Sequence, residues 1–328
     1  MMMLAHRFLW LLAFACAGAL AASDPLPSWN DGAAKTSIVA FVTAVTEQGG
    51  KDFVPVDERI AAFDNDGTLW IEQPMYVQAA FMLDELKAAA PNHPEWKDNA
   101  AFKALSAHDP KALAAVGQKP VLELLGIANS GMTVGAYDTS IRDWLATARH
   151  PKYQRAYTEL VYAPMQELLA YLRANGFKTF IVSGGSVEFM RPWAHDAYGI
   201  PPEQIVGSQQ EVKFELKDGK PVLTRGPHFE FIDDGPGKPV GIYRQIGRRP
   251  IAAFGNSDGD LQMLEVTAAG EHRNFALIVH HDDAAREYAY DRTSHIGKLD
   301  KVWDEAKANN WTVVSMKDDW KKVFAFEK

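Results

Sequence analysis

Cysteine is almost absent from this sequence: Cys16 is the only one among 328 residues. A single thiol cannot close an internal disulfide or build a zinc site from several thiolates, so both kinds of site are excluded. A surplus of positive charge is also missing, because 34 Lys and Arg face 42 Asp and Glu and the formal net charge is −8. We therefore expect no nucleic-acid partner, since phosphate backbones are neutralised by clustered basic side chains.

Long apolar stretches are missing too, except at the amino terminus. Residues 1–7 form a short basic start, and the apolar run Phe8–Leu20 ends in small residues at Ala21. This pattern predicts a secretory signal peptide over residues 1–21, cleaved near Ala21. The run has about 13 residues whereas a membrane-spanning helix needs roughly 20, which favours cleavage over anchoring. Lipid attachment at Cys16 is a further alternative.

Cleavage near Ala21 would leave an exported protein, periplasmic or secreted, with no thiol and no integral membrane segment. Cysteine nucleophiles and thiol redox chemistry are then excluded as well. A domain of this length buries enough apolar surface to fold without disulfides.

Four short apolar runs, each followed by small polar residues, predict buried parallel strands. They are Arg59–Phe63, Phe177–Val182, Pro250–Phe254 and Phe275–Val279. Helical patterns lie between them, such as Pro164–Asn175, which has proline at its start and glycine just beyond its end. The alternation predicts an α/β fold with a doubly wound parallel sheet, in which ligands bind at the carboxyl ends of the strands.

A helical insertion interrupts this alternation between about residues 73 and 160. The candidate helices are Val77–Ala90, Ala101–Leu105 and Ser140–Ala148. The remaining residues 22–72 and 161–328 are then predicted to form a catalytic core.

A second, smaller insertion is predicted at about residues 208–234. An Asp-Gly turn separates the alternating runs Glu211–Leu216 and Pro221–Thr224. Two such runs around Asp-Gly are typical of a β-hairpin.

The most specific motif runs from Asp64 through Asp66 to Thr68, at the end of the first predicted strand. Residues i and i+2 of a strand end point to the same side, so the carboxylates of Asp64 and Asp66 can address one ligand. Carboxylates this close repel each other unless a cation or a proton lies between them. The alternative is an ordinary Asp-Gly turn at the surface.

Three further clusters follow predicted strands or precede a predicted helix. Ser183 and Gly184 offer a hydroxyl and unhindered N–H groups that could hold a phosphate oxygen. Lys238 lies in a Gly/Pro-rich loop, where an ammonium could meet phosphoryl charge. Residues 255–260 supply oxygen ligands of the kind that Mg²⁺ prefers. Each cluster alone is also compatible with a surface loop.

Together and in this order, the four clusters resemble the haloacid dehalogenase (HAD) superfamily of aspartate-nucleophile phosphohydrolases, over about residues 59–283. The helical insertion and the hairpin resemble the layout of its phosphoserine phosphatase branch. The resemblance implies that Asp64 attacks phosphorus to form an aspartyl-phosphate. It implies that Asp66 protonates the leaving oxygen and then activates water.

The resemblance also implies two binding sets. The phosphate-binding residues would be Thr68, Ser183, Gly184 and Lys238. The Mg²⁺ ligands would be Asp64, Asp66, Asn256 and Asp260.

One position departs from the family pattern. The fourth motif usually opens with Gly-Asp, but here Asn256 follows Gly255. An amide oxygen can still coordinate Mg²⁺, and Asp258 or Asp260 could supply the missing charge. If residue 256 is a ligand, Asn256→Asp is expected to tighten Mg²⁺ binding.

The predicted function is an exported, Mg²⁺-dependent phosphomonoesterase that acts on small phosphate esters. The resemblance implies that Asp66 selects phosphate-ester chemistry, because dehalogenases and phosphonatases of the superfamily lack this second Asp. The insertion at 73–160 would be the cap over the active site. Three alternatives stay open: phosphoserine phosphatase proper, a phosphomutase, and a catalytically weak protein that binds a phosphorylated ligand without turnover.

His280 and His281 follow the last of the four strands, which predicts a position at the rim of the site. Adjacent side chains on an extended segment diverge, so zinc is not expected to bind both. One imidazole could contact the substrate, and His281→Ala would then change KM more than kcat. The segment Ala284–Tyr290 is expected to form a helix.

Overall fold

The computed structural model describes residues 24–107 and 110–327. The predicted signal peptide, its cleavage site and Cys16 lie outside these residues. The helices are α1 (Ala33–Thr46), α2 (Val77–Ala89), α3 (Ala100–Ala107), α4 (Pro110–Val116), α5 (Gln118–Ala128), α6 (Val134–Thr147), α7 (Ala163–Ala174), α8 (Val187–Tyr198), α9 (Gly237–Gln245), α10 (Leu261–Ala268), α11 (Lys301–Ala308) and α12 (Met316–Asp319). The strands are β1 (Ile60–Phe63), β2 (Lys178–Ser186), β3 (Ile205–Lys217), β4 (Lys220–Phe231), β5 (Ala252–Gly255), β6 (Phe275–Asp282), β7 (Ala289–Tyr290) and β8 (Thr312–Ser315).

The strands form one sheet in the order β4-β3-β2-β1-β5-β6-β7, with β8 also paired to β6. Strands β3, β2, β1, β5, β6 and β8 are parallel to their neighbours in this set, whereas β4 and β7 are antiparallel. Strand β1 is central, and its Phe63 lies beside Ile181 of β2 and Phe254 of β5. In this register the carboxyl ends of three strands meet at one edge of the sheet, which brings the residues that follow them together.

Alternate residues of the central strands pack into two cores on opposite faces of the sheet. Phe63 and Phe254 belong to the core that includes α1, α7 and α8, and their rings stack with centroids 4.2 Å apart. Ala62 and Ala253 belong to the other core, with α9, α10 and α11. Because helices cover both faces, the predicted doubly wound α/β fold is confirmed.

The four predicted strands are confirmed as β1, β2, β5 and β6, and the predicted helix Pro164–Asn175 is α7. Strands β2 and β6 extend further than predicted, to Ser186 and Asp282. The elements after β7 were not predicted; β8 extends the sheet beside β6. Within the described residues, no helix combines the length and apolar character needed to cross a membrane.

The chain between β1 and β2 is helical, and its described residues contain no strand. Helices α2, α3 and α6 cover the three predicted helical segments, except that α2 and α6 each end one residue before the predicted end, while α4 and α5 were not predicted. The division into a core and a cap at residues 73–160 stays a prediction.

The hairpin is present and longer than predicted. Strands β3 and β4 pair Lys217 with Lys220 across the Asp-Gly turn and remain paired back to Gln209 and Phe231. Thr224 of β4 also forms a bridge to Thr133, at the start of α6. The hairpin therefore contacts the helical insertion.

The prediction of a helix at Ala284–Tyr290 is wrong. After a turn, β7 runs back along the end of β6 and pairs Tyr290 with His281. Asp283 Oδ1 accepts the backbone N–H of Ala285 at 3.1 Å. This aspartate closes a turn, as Asx side chains commonly do, and does not start a helix.

Asp233, which lies between the hairpin and α9, predicts a pH-dependent stability. Its side chain is fully buried and neither carboxylate oxygen has a hydrogen-bond partner. Burial raises the pKa of Asp233 to about 8, although the charge of Lys238 lowers it. Between pH 3.8 and about 8 the folded protein therefore keeps a proton on Asp233, whereas the unfolded chain has lost it. As the pH rises across this range, Asp233 lowers the free energy of unfolding by about 1.4 kcal/mol per pH unit.

Asp233→Asn should remove this dependence, so the variant should gain stability over the natural protein as pH rises from 5 to 8. Chemical denaturation at several pH values measures the difference. Asp218→Asn, in the exposed turn of the hairpin, is the control and should show no such trend. A constant difference between Asp233→Asn and the natural protein would contradict the prediction.

Candidate active site

Asp64 lies at the carboxyl end of β1, at the centre of the sheet edge. Its backbone N–H donates to Phe254 O at 2.9 Å, which continues the pairing of β1 with β5 beyond the last strand residue. The chain then turns, and Leu69 N–H donates to Asn65 O at 2.8 Å. The Asn65 side chain accepts a hydrogen bond of 3.0 Å from Tyr198 Oη, which fixes the loop from below.

Gly67 is required in this loop for two reasons. Its φ of +73° lies in the left-handed region that glycine adopts most easily. A β-carbon at this position would also overlap Asn256 Nδ2 and Glu72 Oε1. The turn therefore brings the main chain next to Asp66 into close contact with both side chains.

Lys238 is buried beneath Asp64, with 1% of its surface exposed. Its Nζ donates to Asp64 Oδ1 and to Asp260 Oδ1, each at 2.6 Å, and to Val182 O at 2.9 Å. Burial lowers the pKa of Lys238, but the carboxylates of Asp260 and Asp64 outweigh this and raise it above the usual range of lysine. The lysine is therefore charged.

The pKa of Asp64 is subject to opposing effects. Burial raises it most, the charge of Asp260 raises it further, and the contact with Lys238 lowers it. Overall, the pKa of Asp64 is raised. Because Lys238 is shared with Asp260, an ionised Asp64 needs more positive charge than this lysine provides.

Asp66 faces the same space and is held by Trp70. Trp70 Nε1 donates to Asp66 Oδ1 at 2.8 Å, and the buried indole stacks on Trp193 with centroids 4.2 Å apart. Burial raises the pKa of Asp66 to about 6, while the hydrogen bond from Trp70 and the charge of Lys238 lower it. A carboxyl group with this pKa exchanges a proton near neutrality, as a general acid and base must.

Ser183 and Gly184 lie where β2 approaches α8. Ser183 Oγ accepts the backbone N–H of Gly185 at 3.1 Å, and Ser186 caps α8 by accepting the N–H of Phe189. Gln78 of α2 reaches this loop: its Oε1 accepts from Ser186 N at 2.8 Å, and its Nε2 donates to Ser186 Oγ at 3.0 Å. The helical insertion is thus hydrogen-bonded to the loop that was predicted to bind phosphate.

Asn256 and Thr68 lie behind the loop and do not line the cavity. Asn256 Oδ1 accepts from Thr68 Oγ1 at 3.2 Å, and its Nδ2 donates to Glu72 Oε1 at 2.6 Å. Both side chains are fully buried. The structure thus gives Thr68 the role of holding Asn256, and its assignment as a phosphate-binding residue stays a prediction.

The two aspartates that could have replaced the charge missing at 256 point elsewhere. Asp258 Oδ1 accepts the backbone N–H groups of Asp300 and Val302 at 3.0 and 3.1 Å, at the start of α11. Asp260 directs Oδ1 to Lys238 and Oδ2 to the N–H groups of its own loop. Asp260 therefore positions the lysine, and its assignment as a Mg²⁺ ligand is not supported by these contacts.

Neither His280 nor His281 lines the cavity. His281 is buried, with Nε2 at 2.8 Å from Gly67 O and Nδ1 at 3.1 Å from Glu287 Oε2. Because the carbonyl oxygen of Gly67 can only accept, Nε2 donates to it. The hypothesis that His281 contacts substrate is wrong: strand alternation turns it under the Asp64 loop, where it supports Gly67.

A cavity of about 280 Å³ opens above these residues. Of the predicted site residues it is lined by Asp64, Asp66, Ser183, Gly184 and Lys238. Its outer wall is mostly apolar, formed by α2, α5 and the end of the hairpin. The apolar lining residues are Ala79, Met82, Leu122, Leu125, Phe229 and Ile232.

Sequence reasoning missed several polar contributors, among them Glu72, Trp70 and Gln78. Glu72 and Trp70 lie within eight residues of Asp64, and a charged residue after the apolar run Leu69–Ile71 was the available signal for Glu72. Nothing in the sequence around Gln78 indicates its contact with Ser186.

Trp70→Phe is expected to lower kcat about ten-fold, because it removes the donor that orients Asp66. The loss should be larger for alkyl phosphates than for 4-nitrophenyl phosphate, whose leaving group needs little protonation. Trp193→Phe is the control, since its indole N–H has no partner among the described residues. Equal losses for both substrate types would show that Trp70 does not act through the acid.

His281→Ala is expected to lower kcat and to lower the free energy of unfolding by about 2 kcal/mol, because the buried carbonyl of Gly67 loses its donor and Glu287 loses its contact with the imidazole. KM should change little. Steady-state kinetics and chemical denaturation measure both effects, with His280→Ala as the matched control. A change confined to KM would restore the substrate-contact hypothesis.

Comparison with known families gives one match: residues 61–265 fit the model of the haloacid dehalogenase-like hydrolases. No curated protein is found to match the chain. The matched region begins in β1 and ends in α10, so it includes all of the motifs described above.

Several solved structures align with this chain at low identity, and the first two share its fold. A conserved, functionally unknown protein from Anaerococcus prevotii DSM 20548 aligns with TM-score 0.56 and 15% identity, over 86% of this chain and 91% of its own. A protein of unknown function from Bordetella pertussis Tohama I aligns with TM-score 0.50 and 13% identity, over 78% and 98%. A phosphoserine phosphohydrolase-like protein from Francisella tularensis subsp. tularensis SCHU S4 aligns with TM-score 0.39 and 19% identity, over 69% and 89%.

Proposed function

Since this chain belongs to the haloacid dehalogenase-like hydrolase family, we propose that it is a phosphoric monoester hydrolase that acts through an aspartyl-phosphate on Asp64. The observation that carries the proposal is that Asp64 and Asp66 line one cavity together with Lys238 and the Ser183-Gly184 loop. A nucleophile, an acid and phosphate-binding groups thus face the same space.

In the first step Asp64 attacks phosphorus. Lys238 holds Oδ1, so Oδ2 is the oxygen that forms the new bond. The bond from phosphorus to the ester oxygen breaks, and Asp66 donates its proton to that oxygen. The alcohol leaves.

In the second step Asp66, now a carboxylate, takes a proton from water. The water oxygen attacks phosphorus, the bond to Asp64 breaks, and inorganic phosphate is released. Ser183 Oγ and the N–H group of Gly184 hold the phosphoryl oxygens in both steps. Trp70 keeps Asp66 aimed at the reacting oxygens.

The donor set fits a divalent cation such as Mg²⁺. The acidic oxygens of Asp64, Asp66 and Glu72 line the cavity, and hard oxygen ligands are what Mg²⁺ prefers. Within the described residues no cluster of three or more His, Cys, Asp or Glu is arranged as a metal site. Mg²⁺ commonly binds through one or two carboxylates with water, and here it would neutralise charge between Asp64 and the phosphate.

The cavity favours esters whose leaving group is apolar and carries no negative charge. Among its described lining residues Lys238 is the only Lys, Arg or His, and it is already paired with carboxylates. The carboxylate of phosphoserine, or a second phosphate, would find no unpaired basic side chain among these lining residues and would meet several acidic groups. A small alkyl or aryl group would instead pack against Met82, Leu125 and Phe229.

A panel of phosphate monoesters with and without Mg²⁺ tests this function. We expect kcat/KM for 4-nitrophenyl phosphate and hexyl phosphate to exceed that for phosphoserine and a sugar bisphosphate by about ten-fold or more. Excess chelator should remove the activity. Preference for phosphoserine would favour the phosphoserine phosphatase alternative, and binding without turnover would favour a non-catalytic phosphate-binding protein.

We also propose that the protein is exported. The basic start, the apolar run Phe8–Leu20 and the small residues at Ala21 support this proposal. Expression of the full chain in a Gram-negative host, followed by fractionation and amino-terminal sequencing, tests it. A full-length cytoplasmic product would contradict it.

A further inference from the structure

Acidic side chains outnumber basic ones in the lining of the cavity. Asp64, Asp66 and Glu72 line it, and the charge of Lys238 is divided between Asp64 and Asp260. Residue 256, where the family pattern has an aspartate, is an asparagine. Asp260 already forms an ion pair with Lys238. A divalent cation would therefore need a carboxylate from another position.

Glu72 supplies such a carboxylate at the wall of the cavity. It lines the cavity, yet only 2% of its surface is exposed. Its Oε1 accepts from Asn256 Nδ2 at 2.6 Å and from Tyr290 Oη at 2.8 Å. Both donors are neutral, so they fix the carboxylate without cancelling its charge.

The surrounding backbone leaves room for this carboxylate. A β-carbon at Gly67 or at Gly297 would overlap Glu72 Oε1. Gly67 directly follows Asp66, so Glu72 lies against the loop that carries both predicted catalytic aspartates. Two glycines from distant parts of the chain thus create the space that Glu72 occupies.

Asn256 is chemically matched to Glu72. Its amide N–H donates to Glu72 while its amide oxygen accepts from Thr68, so all three groups are satisfied. An aspartate at 256 would instead face the Glu72 carboxylate across the short distance that the hydrogen bond now spans. Like charges at that distance repel, so the amide at 256 and the carboxylate at 72 belong together.

From this geometry we propose that Glu72, and not residue 256, supplies the second acidic group of the divalent-cation site, beside Asp64. Asn256 is then a positioning residue that holds Glu72. Relative to the family pattern the charge has moved from position 256 to position 72. This inference rests on the proposed function, because it concerns the same cavity.

Calorimetric titration of the purified protein with MgCl₂, without substrate, tests the assignment. Glu72→Gln should weaken Mg²⁺ binding by about ten-fold or more, because a charged ligand becomes neutral in a nearly isosteric side chain. The exchange variant Glu72→Gln with Asn256→Asp restores the charge from the other side and should recover affinity to within about three-fold of the natural protein. Tyr290→Phe removes one hydrogen bond but no charge, and should weaken binding by about three-fold at most.

Asn256→Asp alone should lower the unfolding temperature of the Mg²⁺-free protein, because two carboxylates then meet without a cation. Mg²⁺ should bind more tightly to this variant and restore its stability, since the ion neutralises both groups. Thermal unfolding with and without MgCl₂ measures this effect.

Unchanged Mg²⁺ affinity in Glu72→Gln, or an exchange variant that binds as weakly as Glu72→Gln, would overturn the proposal. If Glu72→Gln does not fold, Glu72→Asp replaces it and should bind Mg²⁺ measurably but more weakly than the natural protein. Binding through Glu72 in a protein that hydrolyses no phosphate ester would refute the proposed function and leave this inference standing. If the natural protein hydrolyses phosphate esters but Glu72→Gln binds Mg²⁺ with unchanged affinity, the proposed function stands and this inference is refuted.

Discussion

Asp64→Asn should abolish phosphate-ester hydrolysis, with a fall in kcat of at least about 10⁴-fold. An amide cannot attack phosphorus to form the acyl-phosphate bond that the proposed first step requires. The amide is nearly isosteric with the carboxylate, and its oxygen can still accept the hydrogen bond from Lys238 that Asp64 Oδ1 accepts now. The fold should therefore survive while the activity is lost.

Hydrolysis of 4-nitrophenyl phosphate measures the loss, and circular dichroism with thermal unfolding verifies the fold. Acid quenching during turnover, followed by peptide mass spectrometry, should find the phosphoryl group on Asp64 in the natural protein and on no residue of the variant. Asp234→Asn is the matched control, because Asp234 also lines the cavity but is exposed at its rim. Activity in Asp64→Asn within ten-fold of the natural protein would rule out the aspartyl-phosphate mechanism.

The position of Asp64 was predictable because it depends on local sequence and one topological rule. A short buried run such as Ile60–Phe63 has few alternatives to a central strand, and polar residues that follow such strands meet at one edge of a parallel sheet. The same rule placed Ser183 in the cavity without any knowledge of its distance from Asp64. The hairpin was predictable because Asp218-Gly219 between alternating runs has one common structure.

The roles of the acidic residues near the fourth motif were not predictable in this way. Asp258 and Asp260 are two residues apart, yet a tight turn sends the first toward α11 and the second toward Lys238. Glu72 acquires its place only through contacts with Asn256 and Tyr290, which are 184 and 218 residues away. Such long-range contacts depend on the folded backbone, so they cannot be predicted from the composition of the sequence or from the spacing of its motifs.

His281 shows a related limit. The strand was predicted to end at Val279, but β6 continues to Asp282 because β7 returns to pair with it. The extra strand residues fix which way each histidine points, and His281 is directed beneath Gly67. Loop residues after a strand can be assigned to the correct edge of a sheet from sequence, but their direction depends on where pairing stops.

Lys238→Met should destabilise the protein by about 3–5 kcal/mol and lower kcat by roughly 10³-fold or more. Methionine fills a similar volume but leaves Asp64 and Asp260 buried without the ammonium that now contacts each at 2.6 Å. Val182 O also loses its donor. Chemical denaturation measures the stability change, and hydrolysis of 4-nitrophenyl phosphate measures the activity.

Two comparison variants separate charge from shape. Lys238→Arg keeps the charge, but a guanidinium does not fit a position that is 1% exposed and bounded by three acceptors, so it should also lose activity. Lys178→Met replaces an exposed lysine at the start of β2 and should change neither quantity. If Lys238→Met has an activity close to that of the natural protein, Lys238 does not take part in phosphate binding.

The double variant Lys238→Met with Asp260→Asn tests why the lysine matters. If Lys238 stabilises the fold by neutralising two buried carboxylates, removing one of them should relieve part of the destabilisation, and the double variant should be more stable than Lys238→Met alone by about 1 kcal/mol or more. Activity should not return, because the ammonium that faces Asp64 is still missing. A double variant as unstable as Lys238→Met would show that the lysine acts through packing and hydrogen bonding, and that the balance of charge around Asp64 is set by other groups.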